Sequence, residues 1–164
     1  MLTRHFTSSN QIRTSPRYLI VQQQQQQQYK HYSTTTKMSN KAGATAENNK
    51  QKPEDTIFAK IVAGTIPCKK VYEDDFCLAF DDLNPVAPVH VLVVPKTPLG
   101  GIHDATEEHA VALGKLMVNI PKIATIKGLE TYRLVVNEGA DAGQSVRWLH
   151  IHIIGGRGMN WPPG

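Results

Sequence analysis

The chain has 164 residues, 40% hydrophobic and 20% charged, which fits one globular domain with a core and a tail rather than two domains. Its longest unbroken apolar run, residues 76–80, falls far short of the about 20 residues that cross a bilayer, so no membrane helix is expected. Two cysteines, Cys68 and Cys77, exclude a disulfide framework and a paired CxxC zinc site, and the lack of a secretory apolar segment favours a reducing compartment.

The net charge of +4 is unevenly placed. Residues 1–46 carry Arg4, Arg13, Arg17, Lys30, Lys37 and Lys41 and no acid, whereas the rest carries all 14 acidic residues against 12 basic ones. The pI of about 9.1 therefore belongs to the tail. With no basic stripe on the body, neither nucleic acid nor a membrane is an expected partner.

Residues 1–50 read as an extension and residues 51–164 as the folded domain. The extension is rich in Ser, Thr and Gln and holds spaced arginines and short apolar clusters such as Tyr18 to Val21. That is the composition of a mitochondrial presequence, which the membrane potential draws inward as an amphipathic helix. Gln22 to Gln28 form a homopolymer that buries no apolar area and is expected to be disordered. Met38 is a possible internal start, giving a shorter cytoplasmic or nuclear form.

In the domain, Asp55 and Thr56 precede apolar residues at Ile57, Phe58, Ile61 and Val62, the pattern of a capped amphipathic helix, with Gly64 just past its end. Residues 70–73 and 76–80 are β-type runs divided by the turn signal Asp74-Asp75. Asn84-Pro85 and Ala87-Pro88 mark a loop, and residues 90–94 form a β-branched run stopped by Pro95. Helical spacing runs from Asp104 to about Gly128 through Val111, Leu113, Leu116, Met117 and Ile120. Asp104 and Glu107 are spaced as a capping box, and Pro121 is expected to kink or end the helix. Residues 132–137 and 147–154 are two further strands around the loop Glu138 to Ser145. The order α, β, β, β, α, β, β with short links predicts an α+β domain: a five-stranded antiparallel sheet with both helices on one face.

The chemistry gathers in Trp148-Leu149-His150-Ile151-His152-Ile153-Ile154. Strand alternation puts Leu149, Ile151 and Ile153 on an aliphatic face and Trp148, His150, His152 and Ile154 on the other, with the Cβ atoms of the two histidines about 7 Å apart. Spacing alone also allows a half-exposed polar pair, or half of a zinc site completed by His90, Cys68 or Asp82. Just upstream, Gly139 and Gly143 permit a tight loop whose amides approach an anion, and Asn137, Gln144 and Ser145 add neutral donors. Neutral donors beside histidines suit a single phosphate, and a neutral imidazole is a competent nucleophile at phosphorus. The role of His90 is left open.

The stretches Asp55 to Phe58, Cys77 to Phe80, Asn84 to His90, Val135 to Gly139, Gly143 to Val146, His150 to His152, Gly155 to Arg157 and Trp161 to Gly164 occur in an order that resembles the histidine triad family, in its nucleotide-binding HINT branch. The resemblance implies a purine nucleoside phosphoramidase that needs no cofactor and no metal. In that family the middle histidine of the triad attacks the α-phosphorus and expels an amine, and water hydrolyses the nucleotidyl-histidine. His150 matches the nucleophile, His152 the histidine on the phosphate oxygens, and Ser145 the residue near the leaving group. Asn137, Gly143 and Gln144 match phosphate contacts, and Asp82 the acid that accepts from the ribose hydroxyls. Ile57, Phe58, Ile61, Phe80 and Leu83 match the apolar slot for the base. The resemblance also implies a homodimer with a continuous ten-stranded sheet, in which Trp161 approaches the partner's site.

Two departures stand out. Trp148 occupies the place of the first triad histidine, and Asp81 precedes Asp82 where related proteins often carry His. Indole donates one hydrogen bond and relays no proton. Trp148 thus implies either a slowed enzyme or, as the alternative, a nucleotide-binding regulatory protein whose catalysis is weak or lost. A zinc-binding regulator and a dinucleoside-polyphosphate hydrolase are the remaining readings.

Overall fold

The structure, a computed structural model, describes residues 51–163 and Gln27. The segment expected to act as a presequence and the expected internal start at Met38 lie outside the described residues. Of the glutamine tract only Gln27 is described, helical and exposed, and the expectation of disorder for the tract falls on residues outside the description.

The first helix, α1 (Ile57–Val62), starts at Thr56, whose buried hydroxyl accepts the Ala59 N–H at 3.2 Å. It ends where Gly64 takes φ +73°, a conformation glycine adopts without cost. Strands β1 (Lys70–Glu73) and β2 (Cys77–Asp81) form a hairpin closed by Asp74. The Asp74 carboxylate accepts the N–H groups of Phe76 and Cys77, each at 2.9 Å. Burial works against its charge, but these bonds and the Asn119 amide hold its pKa down at about 2.

Strand β3 (Val89–Pro95) pairs antiparallel with β2, from Cys77↔Pro95 to Asp81↔Val91. The second helix, α2 (Ala110–Ile126), leads to β4 (Tyr132–Val135) and then β5 (Ile151–Gly155). The sheet order is β1-β2-β3-β5-β4, antiparallel throughout. Within residues 51–163 the α+β class, with five strands and two α-helices, is therefore as the sequence implies. Among the described residues no helix is long and apolar enough to cross a membrane.

The expected placement of both helices on one face is not what the structure shows. Cys77, Ala79, Val91, Val93, Ile151 and Ile153 meet Leu116, Ile120 and Ile123 of α2 in the core. Phe80 alternates with Ala79 and so faces the other way, and there Phe58 of α1 meets it edge-on at 5.6 Å. The two helices serve opposite faces because Phe58 packs onto the even-numbered side chains.

Boundaries moved for identifiable reasons. The last strand begins at Ile151 rather than Arg147, because Trp148 N–H bonds to the Val146 carbonyl (2.8 Å) and Leu149 N–H to the Leu99 carbonyl (2.6 Å), outside any ladder. Strand β4 stops at Val135, which pairs with His152, one residue short of the start of β5. The long helix starts at Ala110, after single 3-10 turns at Ile102–Asp104 and Glu107–His109. Asp104 forms no capping box with Glu107; it pairs with Arg147 at 3.1 Å, and the Thr106 N–H reaches the His109 ring instead. Pro121 does not end the helix. Its missing N–H leaves the carbonyl of Met117 on an exposed turn, open to water.

Leu116 is fully buried between α2 and the sheet. Leu116→Ala is expected to lower the unfolding free energy by about 2–5 kcal/mol, read from urea denaturation. A loss under about 1 kcal/mol would show that α2 does not close this core.

Candidate active site

The even-numbered face of the sheet carries the polar chemistry. His90 on β3 and His152 on β5 are diagonal neighbours, since His152 pairs with Leu92 and His90 with Ile154. Their rings stack with centroids 5.1 Å apart, and His90 Nε2 lies 2.8 Å from His152 Nδ1. His150, one step before β5, sets its ring edge-on to His152 at 4.9 Å and to Phe58 at 5.2 Å. Asp82, whose N–H continues the ladder to the His90 carbonyl, holds Oδ2 at 3.5 Å from His90 Nε2. Its Oδ1 accepts the Asn84 N–H at 2.8 Å.

Hydrogen bonds decide which nitrogens carry protons. The Trp148 carbonyl can only accept, so His150 Nδ1, 2.7 Å away, bears the hydrogen and Nε2 keeps its lone pair. His90 Nδ1 receives the Val86 N–H at 3.4 Å, which leaves the proton on His90 Nε2, facing Asp82 and His152. His152 Nδ1 then accepts from His90, so His152 Nε2 carries a hydrogen. That Nε2 is buried and has no partner among the described residues. A buried unpaired donor is costly, and an acceptor seated beside it would satisfy it.

Charge follows the same pattern. Burial pushes the His150 pKa down, against the opposing pull of the Trp148 carbonyl and Asp82. Burial, with His150 and His90 alongside, pushes His152 down to about 4. Both rings are neutral at pH 7. Neighbouring Asp81 looks the other way, between Lys69 (2.6 Å) and Lys127 (2.7 Å). Burial raises its pKa but the two lysines outweigh that, and they anchor the end of β2 beside Asp82.

The loop before the histidines is held differently from expectation. Gln144 is buried, and its side chain donates to the Gly100 carbonyl (2.6 Å) and accepts the Gly139 N–H (2.9 Å). The amides of Gly143 and Gln144 close turns within the loop, on Ala140 and Gly139. Gln144 is thus committed to shaping the loop, and three amides that an anion was expected to use are bonded. Gly139 and Gly143 do take positive φ, +80° and +88°. Asn137 reaches the Gly143 carbonyl at 3.4 Å, and Ser145 is exposed with no partner among the described residues.

Of the expected base slot, Ile57, Phe58 and Phe80 are buried, while Ile61 and Leu83 are half-buried at its margin. Trp148 departs from expectation most. It lies outside the strand, it is 2% exposed, and its indole N–H donates to the Pro95 carbonyl at 3.0 Å. His90 is the residue whose role sequence reasoning left open, beyond offering it as one of three candidate zinc ligands. Nothing in spacing links it to His152; only the β3–β5 register does. Asp82, His90 and His152 each offer a ligand atom within 4.8 Å of the others. Two imidazole nitrogens on one tetrahedral zinc, however, stand about 3.3 Å apart. The 2.8 Å separation fits a shared proton better.

A sheet face that carries paired imidazoles and one carboxylate defines a histidine-centred site on an α+β frame. A family model described as HIT domain matches residues 63–159, and the chain belongs to that family. It is 56% identical over 116 residues to protein pkiA of Dictyostelium discoideum, covering 68% of this chain and 91% of that protein. A HIT family hydrolase from Legionella pneumophila superposes with a TM-score of 0.65 at 40% identity, covering 67% of this chain and all of that one. A histidine triad protein from Clostridium difficile gives 0.62 at 46% identity, covering 65% and 94%.

His152 stays neutral in the folded state down to about pH 4, while an unfolded histidine takes up its proton near 6.5. Below 6.5 the unfolded chain therefore binds more protons, and stability falls as pH drops from 6.5 toward 4. Allowing for partial exposure of the ring, the loss from His152 is about 1–2 kcal/mol, read from urea midpoints at pH 7.0, 5.5 and 4.5. Unchanged midpoints would contradict the neutral, buried imidazoles.

Proposed function

We propose that the protein is a nucleotide-binding hydrolase that cleaves purine nucleoside phosphoramidates, such as adenosine 5′-phosphoramidate and AMP–amine conjugates, to nucleoside monophosphate and amine. The observation that carries this reading is His150: a neutral imidazole with Nδ1 tied to a carbonyl and no hydrogen bond at Nε2 among the described residues. The HIT family hydrolase from Legionella supports the hydrolase class.

In this reading the His150 Nε2 lone pair forms a bond to phosphorus. The P–N bond breaks, its electron pair leaves with the amine, and the amine takes up a proton by way of the exposed Ser145 hydroxyl. The unpartnered His152 Nε2–H donates to a phosphate oxygen, which supplies the acceptor that this buried group lacks. Water then breaks the His150–phosphorus bond and releases the monophosphate. Asp82 takes the ribose hydroxyls on its remaining lone pairs, Asn137 and the Gly143–Gln144 turn border the phosphate, and Phe58 with Ile61 and Leu83 line the base. The second reading, a regulatory protein that binds nucleotide with weak or lost turnover, rests on Trp148, whose indole relays no proton.

The working unit we propose is a homodimer. Strand β4 is a sheet edge with no neighbour on its outer side among the described residues. Val111 and Val118 on α2, with Val136 and Trp161, are exposed apolar side chains, Trp161 at 84%. A second copy continuing the sheet through β4 would cover such an edge. The arginine-bearing, acid-free extension is the basis for proposing delivery to the mitochondrial matrix.

Purified protein is expected to release AMP from an AMP–lysine conjugate, and His150→Ala to lose roughly 10³-fold or more of that rate. Equal rates would reject His150 as nucleophile, and AMP binding without turnover would favour the regulatory reading. Sedimentation is expected to give about twice the 18.2 kDa of one chain; a single-chain mass would rule out the dimer.

A further inference from the structure

We propose that Trp148 is a positioning residue: its indole, anchored on the Pro95 carbonyl, fixes the backbone carbonyl that keeps His150 in its reactive tautomer. The substitution that looked like a loss at this position would then preserve the nucleophile's orientation by another route.

Three observations carry this. First, the segment from Val146 to His150 has no strand ladder to hold it; its backbone donors go to Val146 and Leu99. Second, the indole Nε1–H donates to Pro95 in a buried bond at 3.0 Å, and Pro95 closes β3, where it pairs with Cys77 of β2. The side chain thereby ties an irregular segment to the end of two central strands. Third, the same residue's carbonyl accepts the His150 Nδ1–H at 2.7 Å. The path from Pro95 through the indole and its own backbone to the nucleophile runs within one residue.

An imidazole can place its single proton on either nitrogen, and only the Nδ1–H form leaves Nε2 free. A carbonyl held in place selects that form; one that drifts does not. His90, His152 and Asp82 also face this ring, as does Phe58 from α1, but none of them is hydrogen-bonded to His150 Nδ1. The Pro95 carbonyl, buried at the strand end, in turn gains a donor from the indole. An aliphatic or phenyl ring in that space would fill the volume without holding the backbone.

This proposal rests on the phosphoramidase reading only for its kinetic arm. The full chain, labelled with ¹⁵N in its histidines, is compared as wild type, Trp148→Phe and Ile123→Val, the last a core change on the far face of the sheet. Ring ¹⁵N shifts of wild type and Ile123→Val are expected to show His150 in the Nδ1–H form alone, and those of Trp148→Phe a mixture of both forms. On an AMP–amine conjugate, Trp148→Phe is expected to lower kcat about tenfold with KM within about twofold, while Ile123→Val leaves kcat within about twofold. Should Trp148→Phe fail to fold, Trp148→Met, a flexible apolar side chain that also lacks an N–H for the Pro95 carbonyl, is expected to give the same mixture of forms. A single unaltered tautomer in the Trp148 variants would overturn the proposal. An inactive wild type whose tautomer still shifts with Trp148 would sink the phosphoramidase reading and leave the anchor standing.

Discussion

The chemistry proposed for this molecule depends on one buried hydrogen bond, from His150 Nδ1–H to the carbonyl of Trp148, 2.7 Å long. Burial alone makes the ring neutral, which is necessary for a nucleophile but not sufficient. A neutral imidazole with its proton on the wrong nitrogen presents a donor where a lone pair is needed. The carbonyl removes that choice. The neighbouring rings are sorted by the same logic: Val86, His90 and His152 form a chain of donors and acceptors that ends in an N–H with no partner among the described residues. One histidine is thus left with a free lone pair and the next with a free proton, the complementary pair that a phosphate centre and its oxygens require.

The fold serves this arrangement through strand alternation. Odd-numbered side chains of β2, β3 and β5 build an aliphatic layer against α2, so the even-numbered ones are left for polar work. Antiparallel pairing of β3 with β5 then puts His90 and His152 diagonally across one face. Phe58 approaches that face from α1, excluding water from one side of His150. Asp81 and Asp82 illustrate the division within two residues: the first is spent on Lys69 and Lys127, the second turns to His90.

Element types and their order were legible because each rests on local chemistry: the Thr56 cap, the Asp74 turn, the β-branched run before Pro95 and the 3.6-residue spacing of α2. The pairing of His150 with His152 was legible from their separation of two residues. What stayed hidden was non-local. The stacking of His90 on His152 depends on register, the second face for α1 depends on where Phe58 lands, and the start of β5 depends on backbone bonds to Leu99. Gln144 shows the limit most plainly. Its amide was a natural phosphate donor by composition, yet it is consumed by Gly100 and Gly139, a commitment no spacing reveals. Trp148 misled in the opposite direction, since its loss of imidazole was visible and its hold on Pro95 was not.

The claim that His150 presents Nε2 to phosphorus is tested most directly by the bond it forms. Rapid quenching during turnover of an AMP–amine conjugate traps the covalent adduct, and NMR of the isolated peptide identifies the nitrogen that carries phosphorus. The account predicts a single adduct on His150 Nε2. A phosphorus–nitrogen bond at Nδ1, or on His152 or His90, would contradict it, as would turnover that passes through no covalent histidine at all.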